Sequence, residues 1–290
     1  MKKAIILDCN YICHVVFHSV PPLSFQHKYT QVIFGFMKRL LVLATEFPSH
    51  TFVFVWDSKY SVRREIYPMY KQQRVKVGRE STDQEKHSKR IAHLQFDEIR
   101  ETVLPALGFT NNYIQIGYEG DDLMASVVHN NEEYDFVIVT TDKDMYQLIS
   151  YDCKMYNHTT KVFKTVKTFE DEYGCSPLLW AEAKAIAGCG TDNVLGVKGV
   201  AEPTAIKYLL GKMNPKTKKF KAIEASGDMI IENRELVKLP MYGTEKIKID
   251  DNDNISRQSF VKICEKYNFK SLLTKKYLEA WDRIKTVSTC

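Results

Sequence analysis

Thr51-Phe52-Val53-Phe54-Val55-Trp56-Asp57 is the stretch on which the reading of this chain turns: five apolar residues, β-branched or aromatic, running without a break into an aspartate. A short, uninterrupted apolar run of that kind reads as a strand buried on both faces, as in a parallel sheet. The same form recurs at Ala4-Ile5-Ile6-Leu7-Asp8 and at Asp135-Phe136-Val137-Ile138-Val139-Thr140-Thr141-Asp142, and a fourth run, Tyr113 to Ile116, reads as another strand. Between these lie patterns of helical period, at 29–47, 121–130 and 143–150. Strands alternating with helices predict an α/β fold, a mainly parallel central sheet flanked by helices. From about residue 176 the strand signals fade and short helical segments take over, around the Gly-rich turn GVKGVAEPTAIKYLLG. The expected division is therefore 1–175 and 176–290, with the polar stretch 75–101 an exposed helical excursion in which Ser81 and Gln84 form a capping box.

Composition excludes little. Hydrophobic residues make up 44% and charged residues 27% of 290, the balance of a globular protein. Met1 to Leu7 imitates a secretory signal until Asp8 interrupts it, and no run reaches the roughly 18 apolar residues of a membrane span. A soluble, cytoplasmic protein is expected. Seven cysteines with no CxxC pair suit a reducing compartment. Cys9, Cys13, His14 and His18 form the one zinc-like cluster, but without a second ligand pair at finger spacing the residues read as half-buried Cys and His. The net charge of +5 is unevenly spread: ten Lys and Arg stand against four acids in 59–90, and seven Lys against Glu202 in 198–221. Two basic stripes of this kind suit a polyanion, though solvated faces also carry charge.

The acids are more informative. Three core strands end in Asp8, Asp57 and Asp142, and ligands of open α/β sheets bind at the carboxyl ends of strands, so the three should share one rim. Any one of them is also an ordinary helix cap or turn former. Glu119, Asp121 and Asp122 crowd one helix start, however, and Asp144 follows Asp142 at two residues. So many carboxylates on one rim repel one another unless divalent cations join them, and all-oxygen ligands suit Mg²⁺ or Mn²⁺ better than Zn²⁺. Paired hard cations are the chemistry of phosphodiester hydrolysis. No GxxxxGK[ST], GxGxxG, HExxH or GxSxG motif offers a competing chemistry.

Six stretches in order, ILDCNYICHVVFHS, FVFVWDSKYSVRREIYPMYKQQR, YEGDDLMAS, VTTDKDMYQLIS, AIAGCGTDNVLGVKGV and NRELVKLP, resemble the 5′-nuclease superfamily of flap endonucleases and 5′→3′ exonucleases, including stand-alone phage enzymes. The resemblance implies a PIN-like nuclease core, a helical arch at about 75–101, and a C-terminal helix-hairpin-helix-type region gripping duplex DNA. It implies Asp8, Asp57, Glu119, Asp121, Asp122, Asp142, Asp144 and Asp192 as ligands of two Mg²⁺ ions, with Mn²⁺ able to substitute. Lys71 and Arg74 would stabilise charge at the scissile phosphate, and Tyr70 would stack on the terminal base or, equally, face the core. Arg63, Arg64, Gly196, Lys198, Gly199 and Lys207 would contact DNA.

Two departures stand out. Gly188-Cys189-Gly190-Thr191-Asp192-Asn193 has a thiol where the family has an acid, and Ala201 and Pro203 interrupt the usual hairpin form. The expected protein is a monomeric, stand-alone 5′→3′ exonuclease and flap endonuclease for replication or repair. Its substrates would be DNA with 5′ flaps or 5′ ends, RNA–DNA hybrids of primers among them. Two rivals are a branched-DNA-binding protein whose catalysis is weakened at Cys189, and a ribonuclease of the related small α/β group.

Overall fold

The computed structural model describes residues 1–74 and 82–284. Its six-stranded sheet consists of β1 (Lys2–Asp8), β2 (Thr51–Val55), β3 (Asn112–Tyr113), β4 (Tyr134–Val139), β5 (Cys153–Asn157) and β6 (Val162–Lys164), in the spatial order β3-β2-β1-β4-β5-β6. All pairs are parallel except β5 with β6. The chain thus leaves β1 in one direction through β2 and β3, then returns to β1's other side with β4. That reversal makes β1 the switch point, where open sheets leave a crevice at the strand ends. The register fixes the rim: Asp8 pairs with Val55 and Leu7 with Val139, so Asp57 and Asp142 lie two and three residues beyond the same edge.

The strands are apolar throughout because both faces are covered. Ile5, Leu7, Phe52, Phe54, Val137 and Val139 pack under helices α1 (Cys9–Ser19) and α2 (Gln31–Glu46), where Phe260 and Trp281 from the C-terminal stretch complete the layer. Ala4, Ile6, Val53, Val55, Phe136 and Ile138 face the other way. Between β2 and β3 come the short helix α3 (Val62–Ile66) and the long α4 (Asp83–Glu98). Helix α5 (Gly120–Asn130) covers the second face through Leu123, Met124 and Val127, together with Trp180, Ala183 and Ile186 of α6 (Trp180–Ala187). The C-terminal half is helical, as expected, with helices at Glu202–Leu209, Lys218–Glu224, Gly227–Val237, Arg257–Lys266 and Lys275–Trp281. No helix among the described residues is long and apolar enough to cross a membrane.

Two expectations need correction, and a third falls partly outside the described residues. The strand foreseen at Tyr113–Ile116 pairs only at Asn112 and Tyr113, where the Trp56 amide donates the last bond, to the Tyr113 carbonyl at 3.0 Å. Ile114 and Ile116 are left exposed. The helix foreseen at 143–150 is a 3₁₀ turn, Lys143–Leu148. Ser81 lies outside the described residues; the capping box that opens α4 is formed by Thr82 and Glu85. Only Ala92, Gln95 and Phe96 of α4 are buried, so the helix is largely exposed.

Candidate metal centre

Two groups of acids meet at the rim. The first comprises Asp8, Asp57, Asp121 and Asp142. Asp8 caps α1, its carboxylate accepting from the Tyr11 amide at 2.9 Å and the Thr140 hydroxyl at 3.1 Å. Asp57 accepts from the Gly120 amide at 2.7 Å, while its own amide donates to Asn10 Oδ1 at 3.1 Å, tying the ends of β1 and β2 to the start of α5. Asp142 accepts from the Asp144 amide at 2.8 Å. Loss of water and the charge of Asp57 push Asp8 up to about 7. Burial first and other carboxylates second also raise Asp57, Asp121 and Asp142. The strongest charges acting on Asp121 are Asp142, Asp8, Asp57 and Glu119, all carboxylates, with the Lys71 ammonium also within range. Lys71 and Arg74 pull Asp57 down, and Lys71 and Lys184 pull Asp142 down, but burial and mutual repulsion outweigh them, so the fold's own cations compensate this charge only in part.

The second group is tighter. Asp144, Cys189 and Asp192 bring one ligand atom each to within 4.8 Å of one another, the one such trio of potential metal ligands among the described residues. Cys189 sits on a two-residue antiparallel ladder, Gly188–Cys189 with Val194–Leu195, that sequence reading did not foresee. The ladder closes because Gly188 and Gly196 have no side chains: a Cβ on Gly188 would lie 2.3 Å from the Gly196 nitrogen. Cys189 is 3% exposed, with Sγ 3.0 Å from Thr191 Oγ1. A cation has already entered this group. Lys184 of α6, 8% exposed, places Nζ 2.9 Å from Asp144 Oδ1. Burial alone would lower the Lys184 ammonium, but Asp144 and Cys189 raise it. Sequence reading missed Lys184; its only signal is a lone lysine in the small apolar helix ahead of GCGTD.

Between the groups run the cations of the 70–74 segment. Lys71 donates to Glu119 Oε1 at 2.7 Å and lies 3.8 Å from Asp192 Oδ1, and Arg74 reaches Asp192 at 3.2 Å with its side chain 59% exposed. Burial works to raise Glu119, and Lys71 and Arg63 more than offset it, leaving its carboxyl below the usual value. The segment is stitched to the 190–193 turn: the Lys71 amide donates to the Asp192 carbonyl at 2.8 Å, Gln73 to the carbonyls of Gly190 and Thr191, and Asn193 to the Met69 carbonyl. Lys71 itself holds a left-handed backbone, φ +53°, a strained conformation that persists only when surroundings impose it.

Three sequence expectations are corrected by this geometry. Asp122 is fully buried and its oxygens are taken: Arg63 grips both at 2.5 and 2.8 Å, and the amides of Glu119 and Met241 donate as well. It anchors the fold and turns away from the rim. Arg63, 2% exposed, is consumed by the same pair and by the Leu236 carbonyl at 2.9 Å, so no face remains for DNA. Tyr70 is buried, its hydroxyl donating to Glu119 and Asp192, which settles the alternatives in favour of the core and against a stacking platform. Cys9, Cys13, His14 and His18 do not converge, because helical geometry turns the cysteines into the core while His14 packs on His93 and Phe96. Arg64, Lys198, Gly199 and Lys207 are exposed and Gly196 half-buried. Gly199 adopts φ +76° with nothing within 4 Å of a would-be Cβ, an open backbone that a phosphate could approach.

Residues 3–174 match the family described as 5′-3′ exonuclease, N-terminal resolvase-like domain. The thermostable DNA polymerase I of Thermus thermophilus is 31% identical over 211 residues, 71% of this chain and 24% of that protein. The chain spans about a quarter of the length of such curated relatives. Among solved structures, a bacteriophage T5 flap endonuclease complexed with DNA and metal ions superposes with a TM-score of 0.71 at 20% identity, covering 97% of this chain and 99% of that one. The T5 5′-exonuclease with bound divalent zinc gives 0.70 at 20% identity, covering 97% and 100%. At this identity the likeness establishes the fold.

Proposed function

The chain belongs to the 5′-3′ exonuclease family, and on that premise we propose that it is a metal-dependent, structure-specific 5′-nuclease that hydrolyses phosphodiesters near the ends of 5′-flapped or 5′-ended DNA. The observation that carries this reading is the set of mutually repelling carboxylates at the switch point of a parallel sheet, faced by Lys71 and Arg74. Asp8, Asp57, Asp121 and Asp142 fit a hard divalent cation: they offer only oxygen, and burial and mutual charge hold them above their ordinary values. Mg²⁺ is our choice for them, with Mn²⁺ able to substitute. When bound, such ions supply an activated water and neutralise charge on the phosphate.

The chain's own residues do the rest. Arg74, exposed and able to exchange Asp192 for a phosphate, and Lys71 beside it would stabilise charge that develops on the scissile group. Lys198, Lys207 and the open backbone at Gly199 would hold the duplex, while residues 75–101 would accommodate the single strand. Contacts of this kind go to phosphate and extend the reading to RNA–DNA hybrids. The reading assigns catalysis chiefly to 1–175 and duplex grip to 176–290, in a chain acting as a cytoplasmic monomer. A second reading, a branched-DNA-binding protein with weakened catalysis, is favoured by one observation: Cys189 and Lys184 stand among acids that would otherwise hold a second ion.

Single-turnover cleavage of an end-labelled 5′-flap DNA across a Mg²⁺ titration tests both. Metal-dependent cutting near the junction, abolished by Asp121→Ala, supports the nuclease. Tight flap binding without cutting, with activity gained in Cys189→Asp, replaces it with the binding protein.

A further inference from the structure

The trio of Asp144, Cys189 and Asp192 differs in kind from the rim aspartates: its donors are one carboxylate oxygen, one sulfur and another carboxylate oxygen. Metal–oxygen and metal–sulfur bonds of about 2.1 and 2.3 Å in a tetrahedral zinc site place neighbouring donors roughly 3.4 to 3.7 Å apart. The trio already lies within 4.8 Å. Closing the remaining gap to that tetrahedral spacing asks about 1 Å of side-chain movement, within the reach of two carboxylate rotamers. The sulfur also borders a small apolar cluster with Ala185, Val194 and Leu236. Cys189 is held on the short ladder, almost wholly buried, with Sγ 3.9 Å from Asp144 Oδ2 and Thr191 Oγ1 alongside.

We propose that this trio binds a thiophilic divalent cation of the zinc class, with Cys189 as a thiolate ligand, so that the two acid groups of the rim select different metals. Sulfur ligation disfavours hard Mg²⁺ and favours borderline ions. As the metal–sulfur bond forms, the Sγ–H bond breaks and its proton leaves to solvent, so binding releases one proton. The Lys184 ammonium, which now offsets Asp144, gives up that oxygen and keeps only the charge of the surroundings. Three protein donors leave a fourth position open, the pattern of a zinc site that meets water or substrate and not of a structural one. An oxygen of a bound phosphate is the group that would reach it. The inference deepens the nuclease reading and rests on it for the identity of that fourth ligand.

Cadmium is the probe, since its thiolate complexes absorb in the near ultraviolet where Mg²⁺ is silent. Titrating the full-length, reduced chain with Cd²⁺ should give a charge-transfer band that saturates at one equivalent, disappears in Cys189→Ser and Cys189→Asp, and weakens in Asp144→Asn. Equimolar Zn²⁺ should displace it and millimolar Mg²⁺ should not. Loss of Cys189 should weaken Cd²⁺ binding by at least about 100-fold, the upper end of what losing a mere outer-shell partner costs. Circular dichroism of each variant checks the fold, and two different substitutions at 189 guard against one that misfolds. A band that survives both substitutions, the absence of any band, or displacement by Mg²⁺ as readily as by Zn²⁺ would each overturn the proposal. The same preparations, assayed for Mg²⁺-dependent flap cleavage, separate the two levels. Cleavage without a band sinks only the metal assignment, whereas a Cys189-dependent band without cleavage in any metal sinks the nuclease reading and leaves the site standing.

Discussion

Asp121 and Asp144 belong to one rim but live under opposite electrostatic conditions. Burial raises Asp121 most, and the strongest charges acting on it are carboxylates. Asp144 has a buried ammonium at 2.9 Å and a thiol beyond it. The first group therefore keeps a net repulsion that an external cation would relieve, and the second is already neutralised from within. A site that needs a ligand can be told from one that merely tolerates it by which substitutions stabilise the empty protein.

The sharpest way to break that contrast is to neutralise one acid from each group. Asp121→Asn should slow single-turnover cleavage by about 10³-fold, on the scale of losing a major transition-state contact, while raising the melting temperature of the metal-free protein. Asp144→Asn should lower that temperature, because it strands Lys184 without its partner, at a cost of about 3 kcal/mol. Shifts of the same sign in both, read by thermal denaturation with chelator present, would dissolve the distinction. Arg63→Ala serves as the reference for an acid taken up wholly by the fold: leaving Asp122 buried and unpaired should cost about 3–5 kcal/mol in denaturant unfolding, with or without metal. A loss that Mg²⁺ repairs would return Asp122 to the metal centre.

Replacing Lys71 and Arg74 together by Ala should slow cleavage by about 10²-fold while weakening flap binding less than tenfold, since their target is charge that appears only in the transition state. Equal losses in rate and affinity would make them binding residues. Acidity offers a gentler probe. Asp8 ionises near 3.8 in the unfolded chain and near 7 in the fold, so in between the folded state holds the extra proton. Metal-free stability should accordingly fall from about pH 4 to pH 7 and level off above, a slope that Asp8→Asn flattens and that divalent cations offset most at high pH. The smallest effect is expected at the grip: Lys198→Ala should reduce the salt slope of DNA binding by about one. An unchanged slope would remove that contact.

Much of this was legible in advance. Continuous apolar runs ending in Asp8, Asp57 and Asp142 announce parallel strands and their shared rim, because a strand buried on both faces leaves few polar positions and the register does the rest. What sequence spacing does not carry is which acid turns inward. Asp121 and Asp122 are adjacent on a helix start, and about 100° of helical rotation separates a carboxylate of the cleft from one clamped by Arg63. The partner lies 59 residues away, so no local pattern marks it. Lys184 was invisible for the same reason: its meaning comes from Asp144, 40 residues earlier in the chain. Tyr70 and Arg63 sit in a stretch whose basic and aromatic content suits nucleic acid, and burial alone reassigns them.

The clamp around Asp122 also bears on the order in which the rim is completed during synthesis of the chain. Asp122 is held by Arg63 and the Met241 amide, and Arg63 by the Leu236 carbonyl, so the root of the 63–74 segment is locked by residues translated more than a hundred positions later. At about 5–20 residues per second the nascent chain spends on the order of ten seconds with its sheet made but that lock open. The acids of the rim are thus made well before the root of the segment that carries Lys71 and Arg74 is locked, so the site's geometry is completed only when the C-terminal helices are in place.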